Sequence, residues 1–268
     1  AAATRASAPF AAAGGGGLVA AADVSVTPAG EIIDTDAQAV FEALDRRLSK
    51  VNLIDDLQVA MTLVDDFMGG VAAKGRIGEL GWSPGFGGTG TVVNGTVISH
   101  PGLITVGTGT TSTGWQVVSL GNSNLKGSPL FMCEWRYRVT VLSAGANAFS
   151  TWVGLHNNVT GGEPSTGFYF QYAPASGSNW QAVCANNGSR TVVNTGVPVD
   201  VDFHRFRFTC DGAGTARFYI DSVLVATITA TLPSTWWHTP CASIAKSTGS
   251  TARTIVIDYF ALRWEHPR

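Results

Sequence analysis

Asp200 and Asp202 stand two residues apart in the strand-forming part of a 268-residue chain. Side chains alternate along a strand, so residues i and i+2 share a face. Two carboxylates about 5 to 5.5 Å apart are what a retaining glycosidase uses as nucleophile and acid/base. The pair, however, follows Pro198 and directly precedes "FHRFRF", so a turn or the mouth of a strand is the expected setting. Glu134 is alone on its run and faces the same way as Arg136 and Arg138. The chain is therefore read as a non-enzyme, with no catalytic residues.

Other reactive constellations fare no better. The histidines at 100, 156, 204, 238 and 266 show no H-x-H, H-x-x-x-H or H-E-x-x-H spacing. Cys133, Cys184, Cys210 and Cys241 form no C-x-x-C pair, which excludes the usual zinc patterns. Cys133 shares strand parity with Phe131 and Trp135, and Cys210 with Phe206 and Phe208, so both read as core residues; disulfide pairing stays open. No G-x-S-x-G elbow occurs, and "GGGG" lacks the Lys-Ser/Thr of a phosphate loop. Asp65 and Asp66 of "DDFMGG" hint at calcium, but no further acidic ligands are spaced around them. No metal and no cofactor is expected.

Recognition fits the composition better. Trp82, Trp115, Trp152, Trp180, Trp236 and Trp237 lie in or beside Gly/Ser/Asn-rich stretches. An aromatic ring packs on the C–H face of a sugar while neighbouring amides and hydroxyls hold its hydroxyl groups. In "STWVGLHNN", Trp152 and His156 alternate with Val153 and Leu155; in "FYFQYA", Tyr169 and Gln171 alternate with Phe168 and Phe170. Trp152, His156, Tyr169 and Gln171 are thus the candidate sugar strip. The competing reading puts these aromatics in the core.

Three regions must position such a strip. Residues 1–30 are low in complexity, with four consecutive glycines, and read as an attachment arm. Residues 31–64 carry a T-x-x-Q capping box at Thr35 and Gln38, then Ala37, Phe41, Leu44, Leu48 and Val51 at heptad spacing. This predicts a short oligomerising helix and linker, and hence a homo-oligomer. Residues 65–268 are short β-type runs separated by Gly, Asn, Ser and Pro, with no helical periodicity between them. They predict an antiparallel two-sheet sandwich. Within it, "HRFRFTCDGAGTARFYIDSVLVATI" reads as a three-stranded meander. His204, Phe206, Phe208, Cys210, Ala216, Phe218, Ile220, Leu224, Ala226 and Ile228 lie on its core face, and Arg205, Arg207, Arg217 and Tyr219 on the other.

Charge narrows the partners. A net charge of −2 and 13% charged residues argue against nucleic acid. No apolar run reaches the roughly 20 residues of a membrane span, and the start shows no charged n-region followed by an apolar block, so neither membrane insertion nor a signal peptide is expected.

The meander is similar to the strand–turn–strand text of concanavalin A-like jelly rolls. With "DDFMGG", "GELGW", "NWQAV" and "IDYFALRW", residues 65–264 resemble a β-sandwich domain of tailed-phage fibres and other virion appendages. "TPAGEIIDTDAQAVFEALDRRL" resembles the linker that precedes receptor-binding domains in trimeric tail fibres. The resemblance implies a mainly β, concanavalin A-like jelly-roll sandwich preceded by a short helix and an extended arm. It further implies a trimeric virion protein that contacts other virion proteins through its arm and binds host-surface polysaccharide. A capsid decoration or head-fibre protein is the alternative, and a polysaccharide-degrading hydrolase a further one. Asp221-Ser222 departs from the Asp-Gly usual at this hairpin turn.

Overall fold

The computed structural model describes residues 60–71, 75–95, 102–121, 125–126, 130–157, 160–174, 177–234 and 237–265. The attachment arm and the seam Ala37, Phe41, Leu44, Leu48 and Val51 lie outside the described residues. In chain order the strands are β1 (Ala60–Asp65), β2 (Ser83–Gly87), β3 (Thr91–Asn94), β4 (Ile104–Gly107), β5 (Trp115–Ser119), β6 (Leu125–Lys126), β7 (Leu130–Val139) and β8 (Phe149–His156). There follow β9 (Gly167–Tyr172), β10 (Asn179–Asn186), β11 (Ser189–Pro198), β12 (His204–Asp211), β13 (Ala216–Ile220), β14 (Val223–Ile228), β15 (Trp237–Lys246) and β16 (Thr254–Glu265). β1 reaches back into the segment read as linker.

Two antiparallel sheets form a sandwich. The first runs β14-β13-β12-β7-β16-β4-β3, with β1 also on β16; the second runs β11-β10-β9-β8-β15-β5-β2, with β6 also on β15. The alternation of "LFMCEWRYRV" shows why: Phe131, Cys133, Trp135, Tyr137 and Val139 are buried, while Glu134, Arg136 and Arg138 are half-exposed. Rings from the two inner faces interdigitate. Phe170 of the second sheet meets Phe206 and Phe218 of the first at centroid distances of 5.0 and 5.3 Å, and Phe131 meets Phe168 at 5.0 Å. Each such ring contributes roughly 1.5–3 kcal/mol by leaving water. Trp82, Trp135, Trp180 and Trp264 belong to this core, as do Cys133, Cys184 and Cys210. All four cysteines are buried thiols outside any disulfide.

Two sequence details are corrected or explained. Leu224, expected on the core face of the meander, is exposed and pairs with Tyr219, because a β-bulge at Phe218/Tyr219 shifts the register by one. A one-residue slip moves a side chain to the opposite face. Asp221 and Ser222 adopt φ of 49° and 74°, the left-handed pair that a tight hairpin turn requires. The Asp221 carboxylate offsets the strain by accepting from the Arg205 N–H at 2.8 Å and from His204 Nδ1 at 2.6 Å. Ser222 accepts from the Arg205 guanidinium at 2.7 Å.

Candidate functional site

Register across the second sheet decides which side chains meet on its outward face. Asn194 on β11 pairs with Gln181 on β10, Gln181 with Gln171 on β9, Gln171 with Trp152 on β8, and Trp152 with Ser243 on β15. Directly paired residues in an antiparallel sheet share a face. One transverse row therefore reads amide, amide, amide, indole, hydroxyl. It crosses five strands, about 19 Å at about 4.8 Å per strand. Asn194 is exposed and Gln181 half-buried, whereas Gln171 is 4%, Trp152 6% and Ser243 0% exposed. The row runs from the open edge strand inwards.

Polar satisfaction along the row is incomplete. Gln171 Nε2 donates to Gln181 Oε1 at 2.6 Å. Gln171 Oε1, Trp152 Nε1 and Ser243 Oγ are buried with no protein partner among the described residues. Each such atom costs about 1–3 kcal/mol when left unmade, which favours a partner from outside the chain. One donor, one acceptor and one group that can do either match the hydroxyls of a neutral saccharide.

The second row is packed. Val183 pairs with Tyr169, and Tyr169 with Gly154. Trp152, Tyr169, Val183 and Ala185 form an apolar cluster separate from the main core. Residues 160–166, in the connection from β8 to β9, fold over this row. Tyr169 donates its hydroxyl to the Pro164 carbonyl at 3.2 Å, Glu163 pairs with Arg190, and Gly161 packs against the Trp115 side chain. Gly161 has φ of +75° and no space for a Cβ, so only glycine fits there without strain. His156 is fully buried edge-on to Tyr169 at 5.8 Å, and burial holds its imidazole down at about 3, hence neutral.

The structure thus brings Trp152, His156, Tyr169 and Gln171 onto one outward face, but in three rows. Trp152 and Gln171 belong to the polar row, Tyr169 to the covered apolar one, and His156 to the next, where it pairs with Gly167. Asn194, Gln181 and Ser243 escaped sequence reasoning, because each sits on a separate run and only register joins them. Of the other tryptophans singled out, Trp82 and Trp180 are core. Trp115 is half-buried on the outward face, and Trp236 lies outside the described residues.

The remaining sequence candidates are structural here. Asp200 accepts from the Asp202 N–H at 2.8 Å and contacts His204 Nε2 at 3.0 Å, so it shapes the turn between β11 and β12. Asp65 accepts from the Phe67 N–H at 2.7 Å, the Leu80 N–H at 2.8 Å and the Trp82 indole at 2.9 Å. Glu79 joins Asp65 and Asp66 in a three-carboxylate cluster that the sequence did not reveal, fourteen residues from Asp65. Glu79 hydrogen-bonds Asp65, which raises the Glu79 pKa above the usual carboxylate range. Burial raises the pKa of Asp65, but its hydrogen bonds with Glu79, Leu80, Phe67 and Trp82 outweigh this and leave it lowered.

Comparison with known proteins places this architecture. A family model described as SO2946-like, C-terminal domain, matches residues 99–258, more than half the chain. The structure of SO2946 from Shewanella oneidensis MR-1, a protein of unknown function, is similar at a TM-score of 0.55 and 13% identity, over 77% of this chain and 87% of that one. The carbohydrate recognition domain of Emp47p is similar at a TM-score of 0.51 and 8% identity, over 78% and 98%. A β-glucanase of Bacillus licheniformis is similar at a TM-score of 0.50 and 14% identity, over 77% and 98%. At these identities the likeness is one of fold. No curated protein matches the chain.

Proposed function

We propose that this chain, which belongs to the SO2946-like C-terminal domain family, binds glycan through the transverse polar row on the outward face of its second sheet. The observation that carries the reading is the set of buried atoms Trp152 Nε1, Gln171 Oε1 and Ser243 Oγ on three adjacent strands, unpartnered among the described residues. Protein folds seldom leave such groups unpaired without a ligand or water to meet them. The sandwich likeness extends to a domain named for carbohydrate recognition, which supports the same reading. A glycan array with the native chain and the Trp152→Phe/Ser243→Ala variant tests it.

Binding rather than hydrolysis is favoured by where the carboxylates sit. Glu134 is on the outward face of the first sheet, Asp200 and Asp202 are in a turn, and Glu163 is tied to Arg190. None of these makes a pair beside the polar row.

The biological setting we propose is a virion appendage, such as a phage tail fibre that attaches to host-surface polysaccharide. This rests on the tail-fibre-like linker text and the Gly/Ala-rich arm. In it the arm contacts other virion proteins and the seam Ala37, Phe41, Leu44, Leu48, Val51 assembles identical chains, as a trimer.

A further inference from the structure

We infer that the outward face of the first sheet is a second binding surface, one that takes a carboxylate-bearing polysaccharide. Six of the nine described arginines project from this face: Arg136, Arg138, Arg205, Arg207, Arg217 and Arg263. Register makes them one patch. Arg205 pairs with Arg136, Arg207 with both Glu134 and Tyr219, and Met132 with Arg263. Arg205 and Arg136 stand directly opposite each other, a like-charge pairing that disfavours a sheet and that Glu134 and Asp258 partly offset.

Four of these arginines have carboxylate partners. Arg136 pairs with Asp258 at 2.6 Å, Arg205 with Glu134 at 3.7 Å, Arg217 with Asp211 at 3.5 Å and Arg263 with Glu265 at 3.1 Å. Arg138 and Arg207 have none among the described residues. Arg138 lies over the Phe203 ring at 4.7 Å and Arg207 over Tyr219 at 4.5 Å. The ring beneath each guanidinium favours one placement of it, and the terminal N–H donors can make a bidentate contact with an incoming carboxylate. The Nε of both is buried and unpartnered.

Spacing selects the polymer. Arg207 is level with Glu134, and Arg138 is four residues further along the same strand, so the two free cations stand about 13 Å apart along the strands at about 3.3 Å per residue. Duplex nucleic acid, with one charge per about 1.7 Å, needs a dense stripe of unpaired cations instead. A polyuronate, with carboxylates set on separate sugars, needs only spaced ones.

Titration calorimetry of the full chain with polygalacturonate, alginate, methyl-esterified polygalacturonate and duplex DNA tests the inference. Polygalacturonate or alginate should bind, more weakly as salt rises, and esterification should cost about tenfold or more as the guanidinium–carboxylate contacts are lost. Arg138→Gln with Arg207→Gln should lower polyuronate affinity by a similar factor at unchanged melting temperature. Gln171→Ala should leave it untouched, which separates this face from the polar row. Binding of neither polyuronate, equal binding of the esterified polymer, native-like binding by the double variant, or tighter binding of DNA would each overturn it.

Discussion

Gln171 stands directly opposite Trp152 in the β9–β8 register, and each carries a buried polar atom that no protein group among the described residues satisfies. On the opposite, core-facing side the same two strands present Phe168, Phe170, Val153 and Leu155 to the main core. One face of the pair is closed by packing; the other keeps polar groups in reserve.

Gly161 is one of the points at which the β8–β9 connection touches the outward face. Gly161→Ala places a methyl against the Trp115 indole at a φ of +75°. Overpacking and left-handed strain together predict a loss of about 1–3 kcal/mol. Thermal unfolding should report it, with faster proteolysis of residues 160–166. An unchanged melting temperature would mean that the connection does not rest on Trp115.

Asp65 ties the end of β1 to the 77–82 segment by accepting from the Leu80 N–H and the Trp82 indole, and it also accepts from the nearby Phe67 N–H. Asp65→Ala strands the Trp82 indole and two backbone N–H groups in a buried setting. We expect a loss of about 3 kcal/mol or more in urea unfolding. Asp65→Asn, which keeps acceptor capacity on one oxygen, should lose distinctly less.

His204 bridges Asp221 at 2.6 Å and Asp200 at 3.0 Å. Burial pushes its pKa down, but the hydrogen bond and charge of Asp221, with those of Asp200, outweigh burial and leave it raised. A histidine raised in the folded state contributes stability that is full below its unfolded pKa of about 6.5 and lost as pH rises through the folded value. Both carboxylates are about half exposed, with side-chain exposures of 49% and 52%, so screening holds the effect to about 1 kcal/mol or less. The melting temperature of native protein should therefore drop across that window by more than that of His204→Gln. Parallel pH profiles for the two would contradict the bridge.

Much of this architecture was legible in the sequence, for identifiable reasons. The runs "FHRFRF", "ARFYI" and "LFMCEWRYRV" alternate cleanly because one face of each is buried and the other wet. β5 and β15 were not legible. "WQVVS" is almost wholly buried on both faces and "WHTPCASIAK" is made largely of small and polar residues, so neither shows a period of two. The polar row was half visible. Alternation placed Trp152 and Gln171 on one face, but Ser243 lies ninety-one residues from Trp152, and only strand pairing brings it alongside. The bulge that turned Leu224 outward leaves no mark in composition.

The seam Ala37, Phe41, Leu44, Leu48, Val51 carries the proposed assembly. Phe41→Asp with Leu48→Asp would place charges where a desolvated interface is expected, at a cost of several kcal/mol. Light scattering should then report a smaller particle. Wild-type mass in the variant would remove the seam from the oligomer.

Replacing orphaned polar atoms by apolar ones of similar shape is neutral or stabilising when they serve nothing, and weakens binding when they meet a ligand. Trp152→Phe/Ser243→Ala therefore tests the central claim most directly, with affinity for the best neutral glycan from an array measured beside the melting temperature. The account predicts an affinity loss of about tenfold, the loss of two hydrogen bonds of about 0.5–1.5 kcal/mol each, in a variant that stays folded, with a melting temperature lowered only by the ring volume taken from the Trp152 cluster. Undiminished affinity in the folded variant would contradict it.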